Sequence, residues 1–127
     1  MAGKIDTSAL NKDPYSHEMA IAELFASMDK DVIFLKPSNI PGAFIPDIKM
    51  DGLEWEIKSP EGKSDRTIRR NIHKASTQSN NIIFDLSRIG IAEEKCIRDL
   101  KNAFESSNHI RNMIIVTKSK QMIVLKK

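Results

Sequence analysis

The sequence predicts a mixed α/β domain in which helices pack on a central sheet. Three observations predict it: apolar residues recur at helical spacing in some segments, they alternate as in strands in others, and an Asp-Gly pair separates two alternating segments. The chain has 127 residues, of which 40% are hydrophobic and 29% charged, as in an ordinary globular domain. The predicted order of elements is α-β-β-β-α-β, followed by α-β-β.

The domain organisation follows from periodicity and composition. Residues 1–14 are polar with little periodicity and are predicted to be a flexible lead-in, whereas residues 15–127 are predicted to form a single domain. No apolar run approaches the ~20 residues of a membrane span. The single cysteine, Cys96, excludes an internal disulfide, and its apolar neighbours indicate a buried structural thiol. The net charge of +3 permits a nucleic-acid partner without requiring one.

The first helix and strand are predicted from local patterns. Ser16 is interpreted as the N-cap of a helix that extends to about Asp29. The buried stripe of this helix has apolar residues at helical spacing, namely Ile21, Leu24, Phe25 and Met28. The apolar run 32–35 predicts a short strand, and 36–42, with two prolines and a glycine, predicts a loop.

Asp51-Gly52 predicts a β-hairpin between segments 44–50 and 53–58. The turn sets a register in which Met50 faces Leu53, Lys49 faces Glu54, Ile48 faces Trp55 and Asp47 faces Glu56. One face of the hairpin is then apolar and belongs to the core, with Ile48, Met50, Leu53, Trp55 and Ile57. The other face is entirely charged, with Asp47, Lys49, Glu54, Glu56 and Lys58.

The second half of the chain alternates between helical and strand patterns. A break at 59–63 precedes a helix over about 64–78, which is followed by a strand over 81–86. A helix over 91–106 and strands over 113–117 and 122–125, joined by a turn at 118–120, complete the domain.

The charged face of the hairpin contains a group of residues with catalytic potential. Directly opposed strand residues have Cβ atoms ~4.5–5.5 Å apart, so ionised Asp47 and Glu56 repel each other. A divalent cation such as Mg²⁺ removes this repulsion, and Lys58 on the same face can stabilise charge on a phosphate. The arrangement fits metal-assisted phosphodiester hydrolysis. The alternative is an ordinary solvated sheet face, on which lysines neutralise the carboxylates.

The residues Ile45-Pro46-Asp47 and Trp55-Glu56-Ile57-Lys58 resemble the signature of the PD-(D/E)-x-K nuclease superfamily. That superfamily has a restriction-endonuclease-like α-β-β-β-α-β core, a mixed sheet flanked by helices, which is the order predicted here for residues 16–86. More narrowly, the string PDIKMDGLEWEIKSPEG, with the following helix, is similar to the C-terminal nuclease (tRNase) domain of CdiA-type contact-dependent inhibition and polymorphic toxins. The resemblance covers about residues 15–125.

The resemblance implies roles for five residues. Asp47 and Glu56 would be ligands of Mg²⁺ or another divalent metal, and Lys58 would be the catalytic lysine. A glutamate from the first helix often joins such sites, and Glu18 fits because it lies at the edge of the apolar stripe. Gln78 fits a glutamine found on the helix after the lysine strand. As alternatives, Glu18 is a helix-start glutamate favoured by the macrodipole, and Gln78 is a helix-end residue bonded to backbone.

A basic surface follows the predicted catalytic strand. Its residues are Lys63, Arg66, Arg69, Arg70, His73 and Lys74. They are interpreted as a surface that contacts nucleic-acid phosphates, and the alternative is a solvated helix face. Nothing in the pattern encodes base readout, and no aromatic stacking platform is predicted. The three histidines are scattered without metal-ligand spacing.

The resemblance implies a function as well as a fold. It implies a nuclease acting on RNA, with tRNA favoured, in an antibacterial toxin that acts in the target-cell cytoplasm after delivery and is inhibited by a cognate immunity protein. Three alternatives stay open. They are a DNA endonuclease with the same site, a metal-independent RNase that uses Lys58, His73 and a hydroxyl, and a non-catalytic nucleic-acid-binding or interaction module. The sequence does not predict the oligomeric state.

Overall fold

The computed structural model describes residues 2–127 and places seven strands and three helices in them. In chain order these are β1 (Ile5–Asp6), α1 (Ser16–Ala26), β2 (Val32–Phe34), β3 (Ile48–Met50), β4 (Leu53–Lys58), α2 (Arg66–Ser76), β5 (Asn81–Asp85), α3 (Glu93–Ser106), β6 (Asn112–Val116) and β7 (Met122–Lys126). The predicted order of elements is confirmed, with β1 as an addition.

Strand β1 lies within the segment predicted to be a flexible lead-in. Ile5 pairs with Val32 of β2, and the backbone N–H of Lys4 donates to Asp31 Oδ1 at 2.9 Å. A two-residue strand carries too little periodicity to be recognised in sequence, which is why the pattern did not indicate it. Met1, the first residue of the predicted lead-in, lies outside the described residues.

The strands form one sheet in which spatial order equals chain order, β1-β2-β3-β4-β5-β6-β7. The central strands β4, β5 and β6 are parallel, and β1 is parallel to β2, whereas the pairs β2–β3, β3–β4 and β6–β7 are antiparallel. Parallel neighbours need a crossover connection, and α1, α2 and α3 supply the three crossovers. The predicted class, a mixed α/β domain, is confirmed.

The helices cover both faces of the sheet. On one face α1 packs through Ile21 and Phe25 against residues that include Ile83 of β5, and on the other α2 and α3 pack against Ile82 and Phe84. Strands buried on both faces are continuously apolar, as in β5 and β6. Cys96 is fully buried in the second layer, as predicted. Within residues 2–127 no helix has both the length and the apolar character needed to cross a bilayer.

The β3–β4 hairpin has the register predicted from Asp51-Gly52. Met50 pairs with Leu53, and Ile48 pairs with Trp55. The two turn residues have φ of +54° and +77°, as a two-residue type I′ turn requires. Leu53 was expected in the core and is instead 38% exposed, because it adjoins the turn at the end of the sheet.

Strand β3 is shorter than the predicted strand 44–50. It begins at Ile48, and the side chains of Phe44 and Ile45 are exposed. Pro46 has no backbone N–H to donate to a ladder, so the preceding residues form part of the loop from β2.

Candidate active site

A cleft of about 440 Å³ lies at the carboxyl end of β4. Four of the five residues predicted to be catalytic line it, namely Glu18, Asp47, Glu56 and Lys58. In sheets with parallel strands, ligands bind beyond the carboxyl ends of the strands. Residues from α1, the loop before β3, β4 and α2 therefore converge at the position where this fold class places its sites.

Asp47 is positioned by a bulge at the start of β3. Trp55 pairs with Ile48, and its carbonyl also accepts the N–H of Asp47 at 2.9 Å, so two residues lie opposite one. The regular ladder ends there, and the predicted direct pair of Asp47 with Glu56 is not part of it. Instead, the N–H of Ile57 donates to Asp47 Oδ2 at 2.8 Å, which fixes this carboxylate beside β4.

Glu56 is a buried carboxylate that is only 6% exposed. Its burial, together with the charge of Asp47 and a hydrogen bond between the two carboxyl groups, raises its pKa to about 8. Lys58 opposes this shift, since its Nζ lies 3.3 Å from Glu56 Oε2. Glu54, two residues earlier on the same face, is exposed. The solvated-face interpretation is therefore right near the turn and wrong at Glu56.

Glu18 lies in the first turn of α1 and reaches the same cleft. Burial and the charge of Asp47 raise its pKa to about 7, and the charge of Lys58 lowers it. Glu18 therefore interacts electrostatically with Asp47 and Lys58. It also lies near the positive end of the α1 helix dipole.

The carboxylates of the cleft fit a hard divalent cation whose coordination shell is completed by water and substrate. Among residues 2–127, no group of three or more histidine, cysteine, aspartate or glutamate side chains is arranged to enclose a metal ion. Mg²⁺ is usually held by one or two carboxylates, with waters and substrate phosphate supplying the other oxygens. Asp47 and Glu56 form such a carboxylate pair, and burial together with the charge of Asp47 raises the pKa of Glu56 even though Lys58 lies beside it.

Gln78 does not join the cleft. It follows the end of α2 and lines a separate cavity with Leu53 and Glu54, at the opposite end of β4. Its Oε1 is buried and, among residues 2–127, has no hydrogen-bond partner. The reason is topological: α2 connects two parallel strands, so it runs back along the sheet and its end returns to the amino end of β4. The residue of α2 that lines the cleft is Asn71.

Sequence reasoning missed an aromatic pair at the mouth of the cleft. The ring of Tyr15 stacks on His17, with centroids 5.7 Å apart and planes 6° apart. Burial, followed by the charge of Arg88, lowers the pKa of His17. No stacking platform was predicted, yet Tyr15 is 72% exposed. The one signal was its position immediately before α1, where the predicted catalytic helix begins. His73, by contrast, is exposed on α2 and does not line the cleft.

The far wall of the cleft is held by polar contacts between two loops. The guanidinium of Arg88 donates to the carbonyl of Ser59 and pairs with Glu61. The hydroxyl of Ser59 donates to Oδ2 of Asp85, a buried carboxylate, at 2.9 Å. These contacts order the segment that follows Lys58.

The residues of the predicted basic surface are exposed, but those on α2 lie on different sides of the helix. All six members, Lys63, Arg66, Arg69, Arg70, His73 and Lys74, are exposed. None of the six lines the cleft itself, whose lining residue from α2 is Asn71. Arg69 instead lines a groove toward α3 with Asp65. At about 100° per residue, Lys74 and then Arg70 are the basic residues of α2 that lie nearest to Asn71 around the helix axis.

Fold and cleft together define a small α/β domain with ionisable residues gathered at the strand ends. Residues 45–122 match the family model described as the contact-dependent growth inhibition CdiA C-terminal domain. Because the match spans more than half of the chain, the chain belongs to this family, and it is a toxin domain of contact-dependent growth inhibition. The resemblance to the CdiA C-terminal domain is confirmed, whereas the nuclease type and the PD-(D/E)-x-K superfamily stay predictions.

A solved structure has the same fold. It is the CdiA-CT/CdiI toxin and immunity complex from Burkholderia pseudomallei, which aligns over 98% of this chain and 100% of that chain with a TM-score of 0.68. The two chains are 16% identical, so the likeness concerns the fold. A comparison with curated protein sequences gives no match.

Proposed function

We propose that this domain is a metal-dependent nuclease that hydrolyses phosphodiester bonds in RNA, with tRNA as the favoured substrate. The observation that carries the proposal is the convergence of Glu18, Asp47, Glu56 and Lys58 in one cleft at the carboxyl end of β4. The PD-(D/E)-x-K signature, with which three of these residues agree in sequence, supports the same chemistry.

The residues have separable roles in this reaction. Asp47 and Glu56 would hold Mg²⁺ or another divalent ion, which when bound polarises the scissile phosphate. Lys58 places its ammonium group where negative charge develops on the phosphoryl oxygens. Glu18, with a pKa of about 7, is suited to accept the proton of the attacking water at neutral pH. The water oxygen then bonds to phosphorus as the bond to the leaving oxygen breaks.

The surface beside the cleft supports nucleic acid as the substrate. Among the basic residues of α2, Lys74 and Arg70 lie nearest in helical angle to the cleft residue Asn71, so their charges can attract the phosphates of a strand bound at the cleft. Such contacts position a strand without reading its sequence, so they do not distinguish RNA from DNA.

The family and the structural neighbour support a partner and a place of action. The neighbour is a toxin and immunity complex, so we infer that a cognate immunity protein binds this domain and covers the cleft. As a contact-dependent toxin that cuts RNA, the domain would act in the cytoplasm of the target cell after delivery.

A cleavage assay tests the proposal. Total tRNA and plasmid DNA are incubated side by side with the purified protein in Mg²⁺ and in EDTA. Glu56→Gln is compared with Glu54→Gln, a matched change at an exposed position of the same strand. We expect tRNA to be cut only in Mg²⁺, by the wild type and Glu54→Gln but not by Glu56→Gln.

Other outcomes would replace the proposal. Cleavage of plasmid alone would make the domain a DNA endonuclease with the same site. Cleavage that persists in EDTA would indicate a metal-independent mechanism, with Lys58 and His17 as the cleft residues to test before His73. A folded protein that cuts neither polymer would favour a binding module on this scaffold.

A further inference from the structure

A second cavity, of about 410 Å³, adjoins the cleft. It lies between the segment that precedes α1 and the loop that follows β2. The two cavities share three lining residues, Tyr15, Glu18 and Asp47. A molecule that places a phosphate at the carboxylates of the cleft can therefore extend directly into this second cavity.

The lining of the second cavity combines an apolar floor with a polar rim. Phe34 is buried beneath it, while Asn11, Asn39, Lys12 and Lys36 are exposed around it. Within residues 2–127, the two asparagine side chains make no hydrogen bond and the two lysines form no ion pair. Free amides offer both donors and acceptors to a base edge, and free ammonium groups suit a phosphate. The volume lies within the ~300–1,000 Å³ of small-molecule pockets.

Tyr15 lines both cavities, and its place at the start of α1 is not explained by helix stability. It occupies the N-cap of α1, where Ser16 was expected, and makes no side-chain capping hydrogen bond. Serine, threonine, aspartate and asparagine are favoured at this position, because their side chains satisfy the helix amides. A tyrosine that makes no capping hydrogen bond lowers the stability of the helix, and residues that lower local stability are often found at functional sites.

We propose that the second cavity binds an unpaired nucleotide adjacent to the scissile phosphate, with its base stacked on Tyr15. This inference rests on the proposed nuclease function and adds a nucleotide subsite to it. Aromatic side chains bind splayed bases by stacking, and His17 behind the ring holds it in place. A base in a duplex is already stacked on its neighbours, so the subsite selects single-stranded segments.

Binding to an uncut RNA tests the subsite separately from catalysis. The protein carries Glu56→Gln in EDTA, and its affinity for a short fluorescein-labelled single-stranded RNA is measured by anisotropy. Tyr15→Ser removes the ring and supplies a favoured N-cap, so loss of folding does not complicate the result. We expect Tyr15→Ser to weaken binding roughly 5- to 100-fold and Tyr15→Phe to leave it unchanged. Phe44→Ala, an exposed aromatic of the cavity near Gln78, is the control.

The same RNA with 2-aminopurine as its only fluorescent base reports the stacking itself. We expect its fluorescence to be quenched on binding, and the quenching to be lost in Tyr15→Ser but not in Tyr15→Phe. Equal affinity of Tyr15→Ser and the parent, or duplex RNA bound as tightly as the single strand, would overturn the subsite. Because these experiments measure binding without cleavage, a failed cleavage assay would not overturn the subsite. Failure of the subsite would likewise leave the proposed nuclease activity standing.

Discussion

Replacing Glu56 with glutamine should stabilise the metal-free protein at neutral pH, although it should abolish the proposed nuclease activity. Glu56 is buried beside Asp47, and its pKa rises from 4.5 to about 8 in the folded protein. Between these two values the folded state binds more protons than the unfolded chain, so the free energy of unfolding falls as the pH rises. Glutamine keeps the shape of the side chain and removes the charge responsible.

The magnitude follows from the pKa difference. Each pKa unit corresponds to about 1.4 kcal/mol, so by pH 7 ionisation of Glu56 in the unfolded chain, but not in the folded protein, lowers the free energy of unfolding by about 3 kcal/mol. The difference in unfolding free energy between Glu56→Gln and the wild type should therefore grow by at most about 1.4 kcal/mol per pH unit between pH 5 and 7, and level off above pH 8. A divalent cation offsets the cost, and Mg²⁺ at ~100 times its Kd should stabilise the wild type by about 2.7 kcal/mol.

Urea unfolding in EDTA at several pH values, followed by the fluorescence of Trp55, measures this difference. Glu54→Gln, exposed on the same strand, should show no such slope. If wild type and Glu56→Gln lose stability in parallel between pH 5 and 8, then burial of this carboxylate does not govern its ionisation. If Mg²⁺ stabilises the two proteins equally, Glu56 is not a ligand.

Three further predictions concern the core, the hairpin and the basic helix. Leu100→Ala, on the buried face of α3, should lower the free energy of unfolding by about 2–5 kcal/mol, and Leu53→Ala, at a partly exposed position, by clearly less. Equal losses in urea unfolding would contradict the assigned core. Gly52→Ala places a Cβ at φ +77° and should cost about 1–2 kcal/mol, so an unchanged midpoint would argue against the type I′ turn. Arg70→Ala should reduce the slope of log affinity for RNA against log salt by roughly 0.7–0.9, whereas Lys120→Ala in the β6–β7 turn should leave that slope unchanged.

The parts of the fold that were predictable depend on local chemistry. The hairpin register followed from Asp51-Gly52, since a two-residue turn with positive φ permits one pairing of the flanking residues. The three helices followed from apolar spacing, and the edge of such a stripe singled out Glu18 as the first-helix glutamate that the family resemblance implies. In each case the information lies within one element and its boundaries.

The parts that were missed depend on how elements meet. The bulge at Asp47 arises where the ladder meets Pro46, and no periodicity marks it. Gln78 was misplaced because its position depends on the direction of the crossover helix relative to β4, which the helix sequence does not encode. Tyr15 and Asn71 reach the cleft only because α1 and α2 cover opposite faces of one sheet, which is a property of the assembled domain.

The strand order has a consequence for how the site forms during folding. Neighbours in the sheet are neighbours in the chain, so few long loops must close before contacts form. Asp47, Glu56 and Lys58 belong to a single hairpin, and we expect them to come together early while still in contact with water. At that stage the two carboxylates repel each other only weakly, because water screens their charges. The high proton affinity of Glu56 develops only when the packed helices exclude water, so it is a product of the last packing steps.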